Sequence, residues 1–234
     1  MPRTVLVTGG SRGIGLAVAE AFQEKGYRVA VTRRDSAAPD GFFNVACDVT
    51  DPRGVDRAFT AVEEEIGPVE ILVANAGITE DSLLMRMGDE QFSRVLDTNL
   101  YGAWRCARRA VRPMVRARWG RVIFMSSVSA YSGGAGQTNY AASKSGLVGI
   151  ARSMVRELGP RNITTNVVAP GWIDTEMTAA LPSAHRAKVL EEIPLGRPGS
   201  VRDVASAVTW LAAEESGYIT GAVLPVDGGL GMGH

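Results

Sequence analysis

Short apolar runs rich in Val, Ile and Leu alternate along this chain with longer stretches in which apolar residues recur at helical spacing. Several short runs are apolar at nearly every position, which is typical of parallel strands covered on both faces. Strands that alternate with helices predict βαβ units, and therefore an α/β fold with a doubly wound parallel sheet of about seven strands and helices on both faces. The predicted strands are Thr4–Thr8, Arg28–Thr32, Phe43–Cys47, Ile71–Asn75, Arg121–Met125, Thr164–Val168 and Ala222–Val226. The predicted helices are Gly15–Glu24, Pro52–Ile66, Asp89–Arg118, Tyr140–Leu158 and Val201–Ala213.

No low-complexity linker divides the chain, so we expect one domain over residues 1–234. The least regular segment, Trp172–Arg197, contains several prolines and follows a predicted strand at the carboxyl edge of the sheet. Ligands bind at that edge in such folds, so a substrate lid is expected over residues 172–197. Its apolar residues favour a lipophilic substrate, and they are Met177, Leu181, Leu190 and Ile193.

The composition excludes several classes of protein. The chain is 45% hydrophobic and 21% charged, and its 25 Lys and Arg balance its 25 Asp and Glu. No net field therefore attracts a nucleic acid or a membrane surface. The apolar runs are shorter than the ~18 residues that cross a bilayer, and the N-terminus carries no secretory signal. We expect a cytoplasmic protein without nucleic-acid or membrane partners.

The cysteines and histidines are few and dispersed. Cys47 and Cys106 lie in apolar settings, which predicts buried free thiols rather than a disulfide. His185 and His234 have no partner at metal-ligand spacing, so no metal site is expected.

A glycine-rich loop, Thr8–Gly15, joins the first predicted strand to the first helix. Glycines there allow a tight turn and a close approach of backbone to a pyrophosphate, and the helix N-terminus offers unpaired N–H groups to that anion. An ordinary glycine-rich turn is the alternative. The position within a βαβ unit favours dinucleotide binding. The loop residues predicted to contact the cofactor are Gly9, Ser11, Arg12, Gly13, Ile14 and Gly15.

The second predicted strand ends in Arg33-Arg34, where NAD-binding units usually carry an acidic residue. Two guanidinium groups suit a 2′-phosphate, and Arg12 in the first loop could join them. A solvated charge pair is the alternative, and Asp35 lies just beyond. The pattern predicts NADPH rather than NADH.

Two further strand ends complete the predicted cofactor crevice. Asp48-Val49 follows the third strand, beside the expected adenine, although Asp48 could instead cap the next helix. Asn75-Ala76-Gly77 ends the fourth strand and leaves room for the adenine ribose.

Tyr140 and Lys144 are four residues apart at the start of a predicted helix and therefore share one face. A neighbouring ammonium favours the phenolate, so Lys144 is expected to lower the pKa of Tyr140 and allow it to act as a general acid. Lys144 can also hold the nicotinamide ribose. Ser127 ends the fifth strand and can polarise a substrate carbonyl. Asn99, unfavourable inside a helix, could position a water that relays protons to Lys144.

Each residue also has a simpler interpretation. A helical Tyr and Lys four residues apart are usually a surface pair, and Ser127 could be a turn residue. A serine hydrolase is disfavoured, because no Gly-x-Ser-x-Gly elbow surrounds Ser126 or Ser127.

The motifs together resemble those of the short-chain dehydrogenase/reductase family over essentially the whole chain. Thr8–Gly15 matches the family's glycine motif, Asn75-Ala76-Gly77 its Asn-Ala-Gly turn and Tyr140–Lys144 its Tyr-x-x-x-Lys motif, while Ser127 and Asn99 complete its tetrad. The resemblance implies one Rossmann domain, hydride transfer without a metal, and a homotetramer.

The chain also looks like the bacterial 3-oxoacyl-[acyl-carrier-protein] reductases of this family along Tyr140–Lys144, Asn166–Met177 and Tyr218–Gly229. That likeness implies NADPH-dependent reduction of a 3-oxoacyl group on acyl carrier protein. It implies a nicotinamide site shaped by Pro170, Gly171, Ile173 and Thr175. Arg118 and Arg161 match the positions that meet the acidic carrier protein at the pocket mouth.

Alternatives remain open at this point. The same chemistry could act on a polyketide, a sugar, a steroid or a xenobiotic ketone. A nucleotide-binding protein that lost the reaction is a second possibility. Arg118 could simply favour a helix dipole at a helix end, and Arg161 could be a turn residue.

Overall fold

The computed structural model describes residues 2–35, 40–176 and 183–232, and only the backbone of residues 183–187. Of the residues singled out in the sequence, Met177, Leu181 and His234 lie outside the described residues. The same is true of the side chain of His185.

The described strands form one seven-stranded sheet in the order β3-β2-β1-β4-β5-β6-β7. Every neighbouring pair is parallel, so the predicted doubly wound architecture is confirmed. The strands are β1 (Thr4–Val7), β2 (Arg28–Arg33), β3 (Phe43–Ala46), β4 (Ile71–Ala74), β5 (Gly120–Met125), β6 (Ile163–Pro170) and β7 (Val223–Val226). The order reverses between β1 and β4, which places a crevice at their carboxyl ends.

Helices cover both faces of this sheet. They are α1 (Gly13–Glu24), α2 (Pro52–Ile66), α3 (Asp89–Leu96), α4 (Ala103–Ala117), α5 (Ser129–Ser132), α6 (Thr138–Leu158), α7 (Ser183–Glu192) and α8 (Val201–Ala212). Short 3₁₀ turns occur at Leu84–Arg86, Gly159–Arg161 and Glu214–Ser216.

Alternate strand residues pack into two separate apolar cores, one on each side of the sheet. On β5, Val122 and Phe124 contribute to the core beneath α2, α4 and α6. Ile123 and Met125 contribute to the core beneath α1 and α8. Because side chains alternate along a strand, a buried central strand must be apolar on both faces, as the sequence pattern predicted.

The predicted continuous helix Asp89–Arg118 is wrong in its middle. Between α3 and α4, residues Asp97–Gly102 form a π-helical segment. The backbone of Gly102 lies against Val49, and a Cβ on Gly102 would come within 2.6 Å of Val49 Cγ2. Hydrophobic periodicity does not reveal such a local widening, which depends on a contact with a distant loop. Asn99 therefore lies in a π-helical turn rather than in a regular helix interior.

Candidate active site

The glycine-rich loop and the Asn-Ala-Gly turn are joined by side-chain hydrogen bonds at the carboxyl ends of β1 and β4. Thr8 Oγ1 accepts bonds from the backbone N–H groups of Asn75 (3.0 Å) and Ala76 (3.1 Å). Asn75 Nδ2 donates to the carbonyl oxygens of Thr8 and Gly9, both at 3.0 Å. The two loops are therefore fixed relative to one another beside the switch point of the sheet.

Three positions in this loop require glycine, two because of their backbone conformation and one because of close packing. Gly9 and Gly13 adopt left-handed conformations with φ of +65° and +55°. Gly15 is buried in the first turn of α1, and a Cβ there would overlap the carbonyl oxygen of Gly9. Around Gly13 a Cβ would meet nothing within 4 Å, so the outer side of the loop is open. This open loop at a helix N-terminus fits a diphosphate group.

The rim of the loop carries the other predicted phosphate contacts. Ser11 and Ile14 are partly buried and Arg12 is exposed at the N-cap of α1. Arg12 Nη1 lies 3.8 Å from Glu176 at the start of the predicted lid, with both side chains exposed.

The end of β2 is basic. Arg33 is partly buried, and the exposed Arg34 donates from Nε to Asp35 at 2.7 Å. Exposed ion pairs of this kind contribute little free energy, so an incoming phosphate can replace Asp35 as the partner of Arg34. Asp35 is thus a local partner of Arg34. Thr32 Oγ1 accepts the N–H of Gly9 at 3.2 Å, which links this corner to the loop.

Asp48 does not cap the following helix, contrary to the alternative considered above. Asp51 is the N-cap of α2, while Asp48 Oδ1 accepts bonds from the backbone N–H and the hydroxyl of Thr50 at 2.9 and 2.7 Å. Partial burial acts to raise the pKa of Asp48, but the Thr50 bonds and the charges of Arg34 and Arg105 outweigh it and lower the pKa. Asp48 is therefore an ionised acceptor beside the crevice. The adjacent Val49 is buried.

Tyr140, Lys144 and Ser127 come together where β5 ends and α6 begins. Ser127 lies close enough to Tyr140 to act on the pKa of the phenol, and Lys144 Nζ lies 5.7 Å from the centre of the Tyr140 ring. The ammonium donates to the carbonyl oxygen of Met125 at 2.7 Å. Ser126 is occupied elsewhere, since its hydroxyl donates to the backbone oxygen of Lys144 at 3.0 Å. Ser127, rather than Ser126, is therefore the serine beside Tyr140, and its catalytic role stays a prediction.

The prediction that the pKa of Tyr140 is lowered is wrong when only the groups of the protein itself act on the phenol. Burial raises the pKa of Tyr140, Ser127 acts in the opposite direction, and the nearby carboxylate of Asp81 raises it further. Burial also lowers the pKa of Lys144 to about 8. Sequence spacing identified the neighbouring cation but not the depth of burial, which disfavours both charged forms.

Asn99 joins three elements rather than facing solvent. Its Oδ1 accepts the N–H of Ile78 at 2.8 Å and its Nδ2 donates to the Ile78 carbonyl at 2.9 Å. Nδ2 also lies 3.1 Å from the hydroxyl of Ser143 on α6. A Cβ on Gly77 would lie 3.1 Å from Asn99 Oδ1 and 3.4 Å from Lys144 Nζ, so this glycine permits the close assembly. The proton-relay role of Asn99 stays a prediction.

The segment after β6 is anchored as it leaves the sheet. The Pro170 carbonyl accepts the N–H of Val128 at 2.8 Å, and the Gly171 N–H donates to Val226 at 3.0 Å. Ile173 is buried and forms a bridge with Gly199. Thr175, predicted to contact the nicotinamide, is partly buried and lies within the predicted lid.

Asn139 was missed by the sequence analysis. It is fully buried, its Oδ1 accepts the N–H of Tyr140 at 2.8 Å, and its Nδ2 donates to the carbonyl of Glu80 at 3.0 Å. The residue fixes the first turn of α6 to the loop after β4. The sequence did offer a sign of this role, because an Asn near a helix start often bonds the free backbone N–H groups there.

Arg118 and Arg161 do not line the mouth of the crevice in their own chain. Arg118 ends α4 in a left-handed conformation just before β5, and Arg161 lies just before β6. Both are exposed, and Arg118 donates to the Pro160 carbonyl at 3.1 Å. Ser127 follows the other end of β5, a strand of six residues, so the strand alone separates the two ends by about 20 Å. A match of motifs along the chain does not tell at which edge of the sheet each arginine lies.

Among the described residues, no helix is both long and apolar enough to cross a membrane. The same residues contain no cluster of three or more His, Cys, Asp or Glu able to hold a metal ion. Both cysteines are buried free thiols, as predicted.

Comparison with known proteins gives consistent full-length matches. The family model described as enoyl-(acyl carrier protein) reductase matches residues 9–231. The chain is 57% identical over 232 residues to the 3-oxoacyl-[acyl-carrier-protein] reductase MabA of Mycobacterium tuberculosis, covering 99% of this chain and 94% of that protein. It is 44% identical to the 3-oxoacyl-[acyl-carrier-protein] reductase FabG of Vibrio cholerae and 43% identical to that of Escherichia coli, each over 238 residues and 98% of both chains. The family description and the relatives' names differ in the bond that is reduced.

Proposed function

Because this chain belongs to the short-chain dehydrogenase/reductase family, we propose that it reduces the 3-oxo group of a 3-oxoacyl chain on acyl carrier protein, with NADPH as the hydride donor, in fatty acid biosynthesis. Relatives that carry this activity in their names match nearly the whole chain. The single observation that carries the proposal is the placement of Tyr140 beside Lys144, whose Nζ lies 5.7 Å from the ring centre, and beside Ser127, which acts on the phenol. Two hydroxyl groups held together in this way suit one carbonyl oxygen.

The cofactor fits the residues that are present. The open loop at Gly13 and the N-terminus of α1 suit the diphosphate. Arg33 and Arg34 suit the 2′-phosphate, and Asp48 and Val49 border the adenine position. We propose NADPH on these grounds. When bound, the nicotinamide supplies the hydride.

The protein residues would act on the substrate oxygen. Ser127 and Tyr140 both donate hydrogen bonds to the 3-oxo group, which polarises it. Tyr140 stays protonated because burial raises the pKa of its phenol, so it keeps a proton to donate when negative charge develops on the substrate oxygen. Lys144 and Asn99 would restore the proton afterwards. The segment 172–197 stays the predicted lid over the acyl chain, with Leu190 and Ile193 on its described part.

Reduction of a ketone and of an enoyl double bond can be separated directly. We expect purified protein to oxidise NADPH with an acetoacetyl thioester and to give little turnover with the crotonyl thioester. Ketone reduction needs a proton at oxygen, where Ser127 and Tyr140 point, whereas enoyl reduction needs one at carbon. Preferential turnover of the crotonyl thioester would overturn the proposal. No turnover of either, with NADPH still bound, would favour another ketone or a non-catalytic nucleotide-binding protein.

The NADPH preference has its own test. NADH run in parallel should be used much less efficiently, and Arg33→Ala with Arg34→Ala should reduce that preference. Equal efficiency of NADPH and NADH with the unmodified protein would show that Arg33 and Arg34 do not recognise the 2′-phosphate.

Tyr140→Phe tests the acid. The phenyl ring keeps the packing, so NADPH binding should persist while turnover falls by about 10²–10⁴-fold. Undiminished turnover would remove Tyr140 from the mechanism.

We further propose a cytoplasmic homotetramer. A groove of about 460 Å³ between α4 and α6 exposes Trp104, Ile150 and Met154 and provides an apolar surface for a second copy.

Because Arg118 and Arg161 lie at the far edge of their own sheet, their docking role requires a second copy that brings them near a crevice. Charge reversal at both should slow turnover of the carrier-bound substrate more than that of the coenzyme A thioester. An equal effect on both substrates would exclude carrier docking there.

A further inference from the structure

The π-helical segment Asp97–Gly102, which carries Asn99, is held by one side chain from α4. Arg105 Nη2 donates to the carboxylate of Asp97 at 2.7 Å, and Nη1 lies 3.4 Å from the carbonyl oxygen of the same residue. The guanidinium therefore reaches back over eight residues to where the π-helical segment begins. A π-helical turn is rare and needs support from its surroundings, which this contact supplies.

The same guanidinium also contacts the loop after β3. Arg105 Nη1 donates to the carbonyl oxygen of Val49 at 3.3 Å. The side chain of Val49 in turn lies against the backbone of Gly102 at the end of the π-helical segment. Arg105 thus ties the position proposed for the adenine to the segment that carries Asn99.

Burial makes these contacts stronger than an ordinary surface ion pair. The Arg105 side chain is 16% exposed, and the short bond to Asp97 is charge-assisted. At the other end of the segment, Asn99 clamps Ile78 and contacts Ser143, one residue before Lys144. A shift of the segment would therefore move Asn99 relative to the catalytic lysine.

We propose that Arg105 is a positioning residue that holds the π-helical segment so that Asn99 is aligned for the reaction, and that links this alignment to the adenine end of the cofactor crevice. The inference rests on the proposed function for its catalytic part. Its structural part, the placement of Asn99 by Arg105, is independent of the substrate.

Arg109 offers a matched control one turn further along α4. Its side chain is 13% exposed and forms two bonds with Glu63, at 2.8 and 2.6 Å. It is thus about as buried as Arg105 and is also ion-paired, to Glu63 and at 3.4 Å to Asp56, but both carboxylates belong to α2 rather than to the π-helical segment. Arg105→Met and Arg109→Met remove the same charge from the same helix.

The first measurement is hydrogen exchange at the amide of Ile78, which donates to Asn99. Arg105→Met should speed this exchange by about tenfold, as expected when one local hydrogen bond loosens. Arg109→Met, compared at equal global stability, should leave it within about twofold. Equal effects of the two substitutions would overturn the proposal. Because no turnover is required, this result stands even if the proposed reaction is wrong.

The second measurement is a double-mutant cycle on kcat. Arg105→Met should lower kcat by about tenfold in the unmodified protein and have little further effect in Asn99→Ala, because both act through one side chain. The KM for NADPH should rise in Arg105→Met because Val49 loses its partner. An undiminished effect of Arg105→Met in the Asn99→Ala background would refute the linkage. Arg105→Lys serves if Arg105→Met does not fold, because lysine keeps the charge but not the planar set of donors. It should speed the exchange at Ile78 and lower kcat, each by less than tenfold. Wild-type values of both would overturn the proposal.

Discussion

Gly15 gives the sharpest test of the cofactor loop, because the structure leaves no room for even one methyl group. In Gly15→Ala the new Cβ would overlap the Gly9 carbonyl oxygen and lie 2.6 Å from Asn75 Nδ2. An ordinary contact is 3.4 Å or more, so the amide must retreat by about 0.8 Å. Such a movement breaks the bonds from Asn75 to the carbonyls of Thr8 and Gly9.

The expected cost follows from these contacts. Overpacking costs about 1–3 kcal/mol and each of the two lost hydrogen bonds about 1 kcal/mol, so the free energy of unfolding should fall by about 3–5 kcal/mol. In a chain of this size each kcal/mol lowers Tm by about 2–4 °C, which gives a decrease of roughly 6–20 °C. A loop displaced by nearly 1 Å should also reduce kcat/KM for NADPH on the order of 10²-fold.

Thermal unfolding and steady-state kinetics measure both effects. Gly88→Ala is the control, since Gly88 is the N-cap of α3 and a Cβ there would meet nothing within 4 Å. It should cost only a few tenths of a kcal/mol and leave the kinetics unchanged. The reasoning fails if Gly15→Ala unfolds within about 1 °C of the unmodified protein and uses NADPH normally.

Three further results are expected. Because burial lowers the pKa of Lys144 to about 8 from 10.5, the unfolded chain holds this proton at a higher pH than the folded chain. The free energy of unfolding relative to Lys144→Met should therefore rise by about 3 kcal/mol between pH 8 and 10.5 in urea titrations, and a constant difference would contradict this. Ser200→Ala removes one half of the capping box with Asp203 at the start of α8 and should lower Tm by roughly 2–4 °C in calorimetry; no decrease would show that the box is not stabilising. Burial raises the pKa of Cys47 to about 11 and that of Cys106 further still, so a thiol reagent should modify neither in the folded protein and both after unfolding, and rapid native modification would disprove their inertness.

The sheet and the main motifs could be predicted from the sequence because they depend on local patterns. Continuous apolar runs identified each strand to within a residue or two, and Ser127, Tyr140 and Lys144 meet as their spacing required. Features that depend on contacts between distant segments could not be read in this way. The π-helical segment, for example, lies against Val49 of a distant loop.

The errors have the same origin. The direction of the Tyr140 pKa depends on how deeply α6 buries the phenol, which helical spacing does not determine. The placement of Arg118 depends on the edge of the sheet at which α4 ends. The pKa was inferred from a neighbour along the chain and the place of Arg118 from a match to family positions, and both changed once neighbours in space were known.

Asparagine side chains join the loops at the carboxyl edge of the sheet to one another and to α6. Asn99 and Asn139 each accept one backbone N–H and donate to one backbone carbonyl of the loop after β4 or the first turn of α6. Asn75 likewise donates to the loop after β1. A carboxamide can satisfy a donor and an acceptor at once, whereas a carboxylate offers acceptors only. Loops lack the backbone hydrogen bonds of a sheet, and these side-chain amides supply bonds in their place. The candidate residues Tyr140 and Lys144 are therefore positioned by neighbouring amides as well as by the helix that carries them.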